Sequence, residues 1–198
     1  MKSYLFIIWI ILLSGCTKVM PPITQYRVSA KEFDIKFSNT KCHDKTLKIQ
    51  RVFASPILMS RNMSYVELDN KEYNYSQSQW SQSPNTALSY EILQHIRDAQ
   101  IYKNVIDSQS QGISDVVLEI NIDDFMQYFN KSNTKSYAKV KMSFTLIDMK
   151  SAKVIASKSF DAIVETKTLD AEGGVDALNK SFEHVMFDSI KWLAKVCK

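Results

Sequence analysis

The strongest pattern in the chain is the alternation at Val116, Leu118, Ile120 and Ile122, with Glu119, Asn121 and Asp123 facing the other way. A period of two predicts a strand with one buried face. The alternation breaks at Asp123-Asp124, where the apolar positions shift to Phe125, as a β-bulge would cause. After a polar loop over residues 129–136, Ala138, Val140, Met142, Phe144 and Leu146 alternate with Lys139, Lys141, Ser143 and Thr145. A turn at residues 148–153 leads to a third strand over 154–166. Three strands joined this closely form an antiparallel meander with one wet face.

The first half carries weaker alternation. Leu47, Ile49, Arg51 and Phe53 alternate with Lys48, Gln50 and Val52, which predicts one half-buried strand ending near Pro56. Tyr26-Arg27-Val28 is placed as the start of a first strand, and residues 31–45 as a strand or hairpin arm through Phe33, Ile35 and Phe37. Val66-Glu67-Leu68 and residues 72–75 read as hairpin arms around Asp69-Asn70, and residues 102–106 as a short strand. Helical spacing at Leu88, Ile92, Leu93 and Ile96 follows Ser83-Pro84-Asn85, where Ser83 or Asn85 is the expected cap, and this helix ends near Ala99. A longer stripe at Val175, Leu178, Phe182, Val185, Met186, Ile190 and Leu193 predicts a helix over 175–196, with residues 169–174 as a loop and Gly173-Gly174 as a turn before it. One-faced strands need cover, and two amphipathic helices supply it. The expected fold is an α+β two-layer sandwich, a mostly antiparallel sheet with both helices packed on one face.

The N-terminus breaks from this patterning. Lys2 precedes ten apolar-rich residues, 4–13, which are too few to span a bilayer and suit a secretory signal. Leu13-Ser14-Gly15-Cys16 follows and resembles the bacterial lipobox. The resemblance implies acylation of the Cys16 thiol and cleavage between Gly15 and Cys16. The expected organisation is a signal peptide over 1–15, a lipidated tether over 16–25 with Pro21-Pro22, and a single periplasmic domain over 26–198. Acyl chains anchor the mature protein to a membrane. Thr17 stands where aspartate is associated with inner-membrane retention, so the outer membrane is favoured.

Charge and cysteine usage exclude more than they suggest. The 25 basic and 21 acidic side chains give +4 with no basic block, so nucleic-acid binding is not indicated. With Cys16 acylated, Cys42 and Cys197 remain, and an oxidising compartment leaves two states for them, a Cys42–Cys197 disulfide or two free thiols. His43, His95 and His184 have no second ligand at metal-site spacing, and no Gly-x-Ser-x-Gly elbow or Walker loop occurs. Asp123 and Asp124 are neighbours in a strand and point to opposite faces unless the bulge intervenes. No catalytic residue, metal site or cofactor is expected. Tyr65, Tyr73, Tyr75 and Trp80 crowd one stretch, and such residues are enriched at interfaces.

Landmarks in order along the chain resemble a known family. The lipobox is followed by Tyr26-Arg27-Val28, by Ala54-Ser55-Pro56, by Ser60-Arg61-Asn62-Met63 with Tyr65, and by Tyr73 and Trp80-Ser81-Gln82-Ser83-Pro84. Tyr102-Lys103-Asn104-Val105, residues 176–182 and Trp192 continue the series. The pattern resembles the auxiliary lipoproteins of ABC-type transport systems associated with MCE-protein lipid transporters. The resemblance implies a non-catalytic periplasmic role beside an MCE-domain protein, a permease and an ATPase; a homo-oligomer is a separate open partner state. By position, Arg61, Tyr65, Tyr73 and Trp80 are the candidates for partner contacts, the alternative being fold contacts that pack the sheet edge and the helix entrance. An outer-membrane assembly or plug lipoprotein and a direct lipid-binding module are the alternatives.

Overall fold

The computed structural model describes residues 21–37, 40–67 and 70–197. The proposed signal peptide, Gly15 and Cys16 lie outside these residues. The strands are β1 (Thr24–Tyr26), β2 (Thr46–Ile49), β3 (Phe53–Ala54), β4 (Asn62–Glu67), β5 (Lys71–Trp80), β6 (Asn104–Ile106), β7 (Val116–Phe129), β8 (Ser136–Asp148) and β9 (Lys153–Glu165). The helices are α1 (Pro84–Asp98) and α2 (Ala171–Val196), with a 3-10 turn at Pro56–Met59.

Among the described residues the nine strands form one mixed sheet organised around β7. On one side the meander β7–β8–β9 pairs antiparallel. On the other side β2, β3 and β4 lie parallel to successive stretches of β7, beside Val116–Leu118, Asn121–Ile122 and Gln127–Phe129. β5 pairs antiparallel with β4, while β1 on β5 and β6 on β2 pair parallel. The long pairings are therefore antiparallel and the short ones mostly parallel, and the architecture is the expected α+β sandwich. Ala138, Val140, Met142, Phe144 and Leu146 are buried under α2, where they meet Phe182, Val185, Met186 and Ile190. The bulge falls where the alternation broke, because Ile122 pairs with Met142 and Asp124 with Lys141, leaving Asp123 as the extra residue.

Four expectations need correction. First, the strand expected from Leu47 to Phe53 is two strands. Ile49 pairs with Leu118 but Phe53 with Asn121, so the first-half chain holds one residue more than β7 across this step. A one-residue surplus flips every later side chain. Val52 and Ala54 are consequently buried, and Arg51 and Phe53 are exposed.

Second, the first strand begins at Thr24, inside the span assigned to the tether. Its polar residues lie at an edge and show no apolar pattern. Third, residues 31–37 form no strand. With Ser29 and Ala30 before them, they run as a strap between the helices. Asn179 Oδ1 accepts from Ser29 N at 3.1 Å, Glu183 Oε1 from Lys31 N at 3.0 Å and Glu91 Oε2 from Ala30 N at 3.4 Å. Side-chain acceptors thus replace a sheet ladder. Phe33 fills the strap's inner side, 5.0 Å from the His95 ring and 5.8 Å from Phe187.

Fourth, α2 starts at Ala171 and takes Gly173-Gly174 into its first turn. A Cβ on Gly173 would sit 2.4 Å from Thr168 O, and one on Gly174 2.0 Å from Gln127 Oε1. Glycine permits that close approach of helix to sheet. At α1, Ser83 occupies the cap position without a side-chain cap bond, and Asn85 is already inside the helix.

The cap of α2 is Asp170, whose Oδ1 accepts from Gly173 N at 2.9 Å and from Thr168 Oγ1 at 2.7 Å. The bond from Gly173, then that from Thr168, holds the Asp170 carboxyl below the usual carboxylate range. A depressed folded pKa gives stability that is present above the unfolded value and lost as pH falls through the folded one. Asp170→Ala is expected to cost about 1 kcal/mol at neutral pH. Thermal melts of both proteins should converge as pH drops below the carboxylate range, and a constant gap down to acid pH would remove the cap assignment.

Candidate functional site

The aromatic residues singled out in the sequence divide between surface and core. The β4–β5 hairpin sets Tyr65 opposite Tyr73, with stacked rings 5.7 Å apart. Tyr65 also meets Tyr75 at 4.8 Å and Phe129 at 5.2 Å. The three tyrosines share one face because opposed and alternate strand residues do so. Tyr73 is 42% exposed, while Tyr65 and Tyr75 are half-buried.

Beneath them lies a polar relay that sequence reading missed. Tyr75 donates to Gln127 Oε1 at 2.9 Å, and Gln127 Nε2 donates to Ser136 Oγ at 3.0 Å. Ser136 in turn pairs with Thr166 Oγ1. Burial, with smaller contributions from Tyr65 and Asp170, pushes the Tyr75 hydroxyl up, so it stays a neutral donor. The available signal was Gln127 itself, a polar residue at an inward position once the bulge has reset the alternation.

Trp80 belongs elsewhere. It is 3% exposed, and its ring lies 5.7 Å from Phe125 in the core. Its backbone is the part that meets Arg61: Arg61 Nε donates to Trp80 O at 3.0 Å, and Trp80 N donates to Arg61 O at 2.8 Å. Of the two roles open to Trp80, its buried ring fits the fold contact rather than the partner contact. A buried indole offers no surface, and the exposed aromatic of this region is Tyr73. Arg61, exposed at the start of β4, is spent partly on holding the strand ends together.

Cys42 and Cys197 are joined in a disulfide, with Cα atoms 5.4 Å apart. Both are buried, and the Tyr102 hydroxyl lies 3.3 Å from Cys197 Sγ. Lys41 N donates to Cys197 O at 2.7 Å, so the bridge joins the end of the strap to the end of α2.

His95 and the Asp123–Asp124 pair are each held by neighbouring groups. His95 is buried, with ring nitrogens 2.7 Å from Glu91 O and 3.0 Å from Lys31 O, which pins the strap to α1. The bulge does turn both Asp123 and Asp124 to the open face. There Ser143 donates to Asp123, while Tyr128 and Lys139 hold Asp124 at 2.8 and 3.2 Å. Among the described residues no group of three or more His, Cys, Asp or Glu could hold a metal ion, and no helix is long and apolar enough to cross a membrane.

Solved structures share this fold. The structure of protein XCC0632 from Xanthomonas campestris superposes with a TM-score of 0.77 at 16% identity, covering 87% of this chain and 95% of that one. A second, described only as an uncharacterized protein, gives 0.66 at 10% identity over 87% of this chain and 99% of that one. A search of curated proteins finds no match to the sequence. The family model described as ABC-type transport auxiliary lipoprotein component matches residues 36–188, from the strap to α2. The chain belongs to that family of ABC-type transport auxiliary lipoproteins.

Proposed function

We propose that the protein is a non-catalytic lipoprotein that docks to the periplasmic part of an MCE-associated lipid transporter. Acylated Cys16 anchors it to the outer membrane, and Tyr65, Tyr73 and Arg61 lie in the docking surface. The permease and ATPase of the system supply the energy. The observation that carries this reading is the conjunction of the lipobox at residues 13–16 with the family match over 36–188. A docking role also suits the interior. Among the described residues Met142, Phe144, Phe182 and Met186 fill the space between sheet and α2, which favours an outer contact surface over enclosure of an acyl chain.

In-cell crosslinking and affinity capture of the tagged full chain tests the reading. Recovery of an MCE-domain protein, permease or ATPase is expected. Recovery of an outer-membrane barrel instead would move the protein to envelope assembly. The same chain with Cys16→Ala is expected to accumulate as uncleaved precursor, and normal processing and membrane fractionation of that variant would refute the lipobox.

A further inference from the structure

β9 is the free margin of the meander. Among the described residues it pairs with β8 alone, although it runs for 13 residues. Long exposed edges template pairing with another chain, and proteins usually blunt them with charge or bulges. β9 carries both devices. Lys153, Lys158, Asp161 and Glu165 stud it, and Ile155 is an extra residue between Val154, opposite Ile147, and Ala156, opposite Leu146. Yet Val154, Ile155 and Ile163 remain 61%, 44% and 57% exposed, a concentration of apolar surface that an isolated edge does not need.

The strand reads Lys-Val-Ile-Ala-Ser-Lys-Ser-Phe-Asp-Ala-Ile-Val-Glu. About Ser159 it is nearly self-complementary. Val-Ile-Ala at 154–156 mirrors Ala-Ile-Val at 162–164, both lysines lie before the centre and both carboxylates after it. We propose that two copies of this chain pair through β9, antiparallel, with Ser159 opposite Ser159 across a two-fold axis. The continuous ladder then covers residues 156–162 of each copy. Ala156 faces Ala162, Ser157 faces Asp161 and Lys158 faces Phe160, an arrangement that repeats the contact Lys158 already makes over the Phe160 ring at 4.9 Å. Beyond the ladder Ile155 meets Ile163, and Lys153 approaches Glu165.

Charge selects this register. The basic half of each strand meets the acidic half of the other. A pairing two residues to one side would set Lys158 against Lys158, and like charges directly opposed destabilise a sheet. Two residues to the other side, Ile155 would face Glu165. The antiparallel two-fold also satisfies the rule that one self-complementary patch serves both copies in an isologous dimer.

The surroundings fit. An axis perpendicular to the sheet keeps both α2 helices on one face. α2 packs on both β8 and β9. With strands about 4.8 Å apart, its copy lies roughly two strand spacings away, about 10 Å, the distance at which helices pack. An open groove between Asp161–Ile163 and the Glu183–Asp188 stretch of α2 leaves room on this margin. The chain leaves the sheet towards its N-terminus at β1, whereas β9 lies beyond β5, β4, β7 and β8 from it. Pairing at β9 therefore leaves both β1 strands at the outer margins of the joined sheet.

Ser159→Cys tests the two-fold position. Opposed residues in an antiparallel ladder have Cα atoms about 4.5–5.5 Å apart, within disulfide reach. Ser157→Cys is the control, since two such residues would be offset by about 13 Å along the strands. Full-length protein in detergent, mildly oxidised, is expected to shift to a dimer band on a non-reducing gel for Ser159→Cys and to stay monomeric for Ser157→Cys. Equal crosslinking of both variants, or no dimer from a Ser159→Cys protein whose melting matches the parent, would overturn the proposal. If either variant fails to fold, sedimentation of the unsubstituted protein decides. A dimer that Ile163→Lys converts to monomer supports β9 pairing, and a monomer, or a larger assembly indifferent to Ile163→Lys, overturns it.

Discussion

Cys42→Ser together with Cys197→Ser is expected to lower the unfolding free energy by about 2–5 kcal/mol. The bridge spans 155 positions, so nearly the whole folded chain lies inside one covalent loop. Chain-entropy bookkeeping puts the upper value near 5 kcal/mol for a loop of this length, and native-state effects usually reduce it. Its local consequence is more specific. The bridge sits where the strap meets the end of α2, beside Tyr102 in the α1–β6 connection. Thr40 Oγ1 donates to Ile101 O at 2.6 Å in the same place. Losing the bridge releases a segment held otherwise by a few hydrogen bonds and the Phe33 ring. Amide exchange over the described part of residues 31–45 is therefore expected to accelerate more than exchange in β7 and β8. Urea denaturation with and without reductant measures the global change. An unchanged midpoint, or acceleration spread evenly over the sheet, would show that the bridge does not hold the strap.

The second half of the chain was legible because its strands are long and one-sided. Ala138 to Leu146 place an apolar residue under α2 at every second position, and no turn interrupts them. The first half failed at identifiable points. Leu47 to Phe53 alternates imperfectly in sequence, with Arg51 at an apolar position and Val52 at a polar one, and only the pairing shows that the partner strand advances one residue fewer, which hands burial to Val52 and Ala54. Thr24–Tyr26 is a strand only because β5 offers an edge, so no local signal marks it. The strap at 31–37, with Ser29 and Ala30 just before it, borrows acceptors from Asn179, Glu183 and Glu91, residues distant in sequence. Gly173-Gly174 looked like a turn because glycine usually marks one, whereas here the missing Cβ atoms make room for Gln127 and Thr168. The candidate site divided for a related reason. Tyr65, Tyr73, Tyr75 and Trp80 are all aromatics with a polar tip, and the pairing of β4 with β5 and the face each residue takes decide which ring reaches solvent.

That division yields the other large effect. Trp80→Ala is expected to cost about 3–5 kcal/mol, the range for removing a large aromatic from a packed core. The indole packs on Phe125 and against the region of Ile57, Leu58, Met126 and Leu178. Truncation leaves a cavity under the 3-10 turn, and that turn, bounded by Pro56 and Met59, has few bonds of its own with which to collapse into it. Tyr73→Ala at the exposed end of the same strand is expected to shift stability by no more than about 0.5 kcal/mol, as surface substitutions do. Partner capture should respond in the opposite order. At a temperature where both variants are folded, Tyr73→Ala is expected to weaken recovery of the transport components, while folded Trp80→Ala retains them. Calorimetry paired with quantitative capture separates the two. If Trp80→Ala melts like the parent yet loses its partner, the indole is a contact residue that turns outward on binding. If Tyr73→Ala captures as well as the parent, the hairpin tip is not the docking surface.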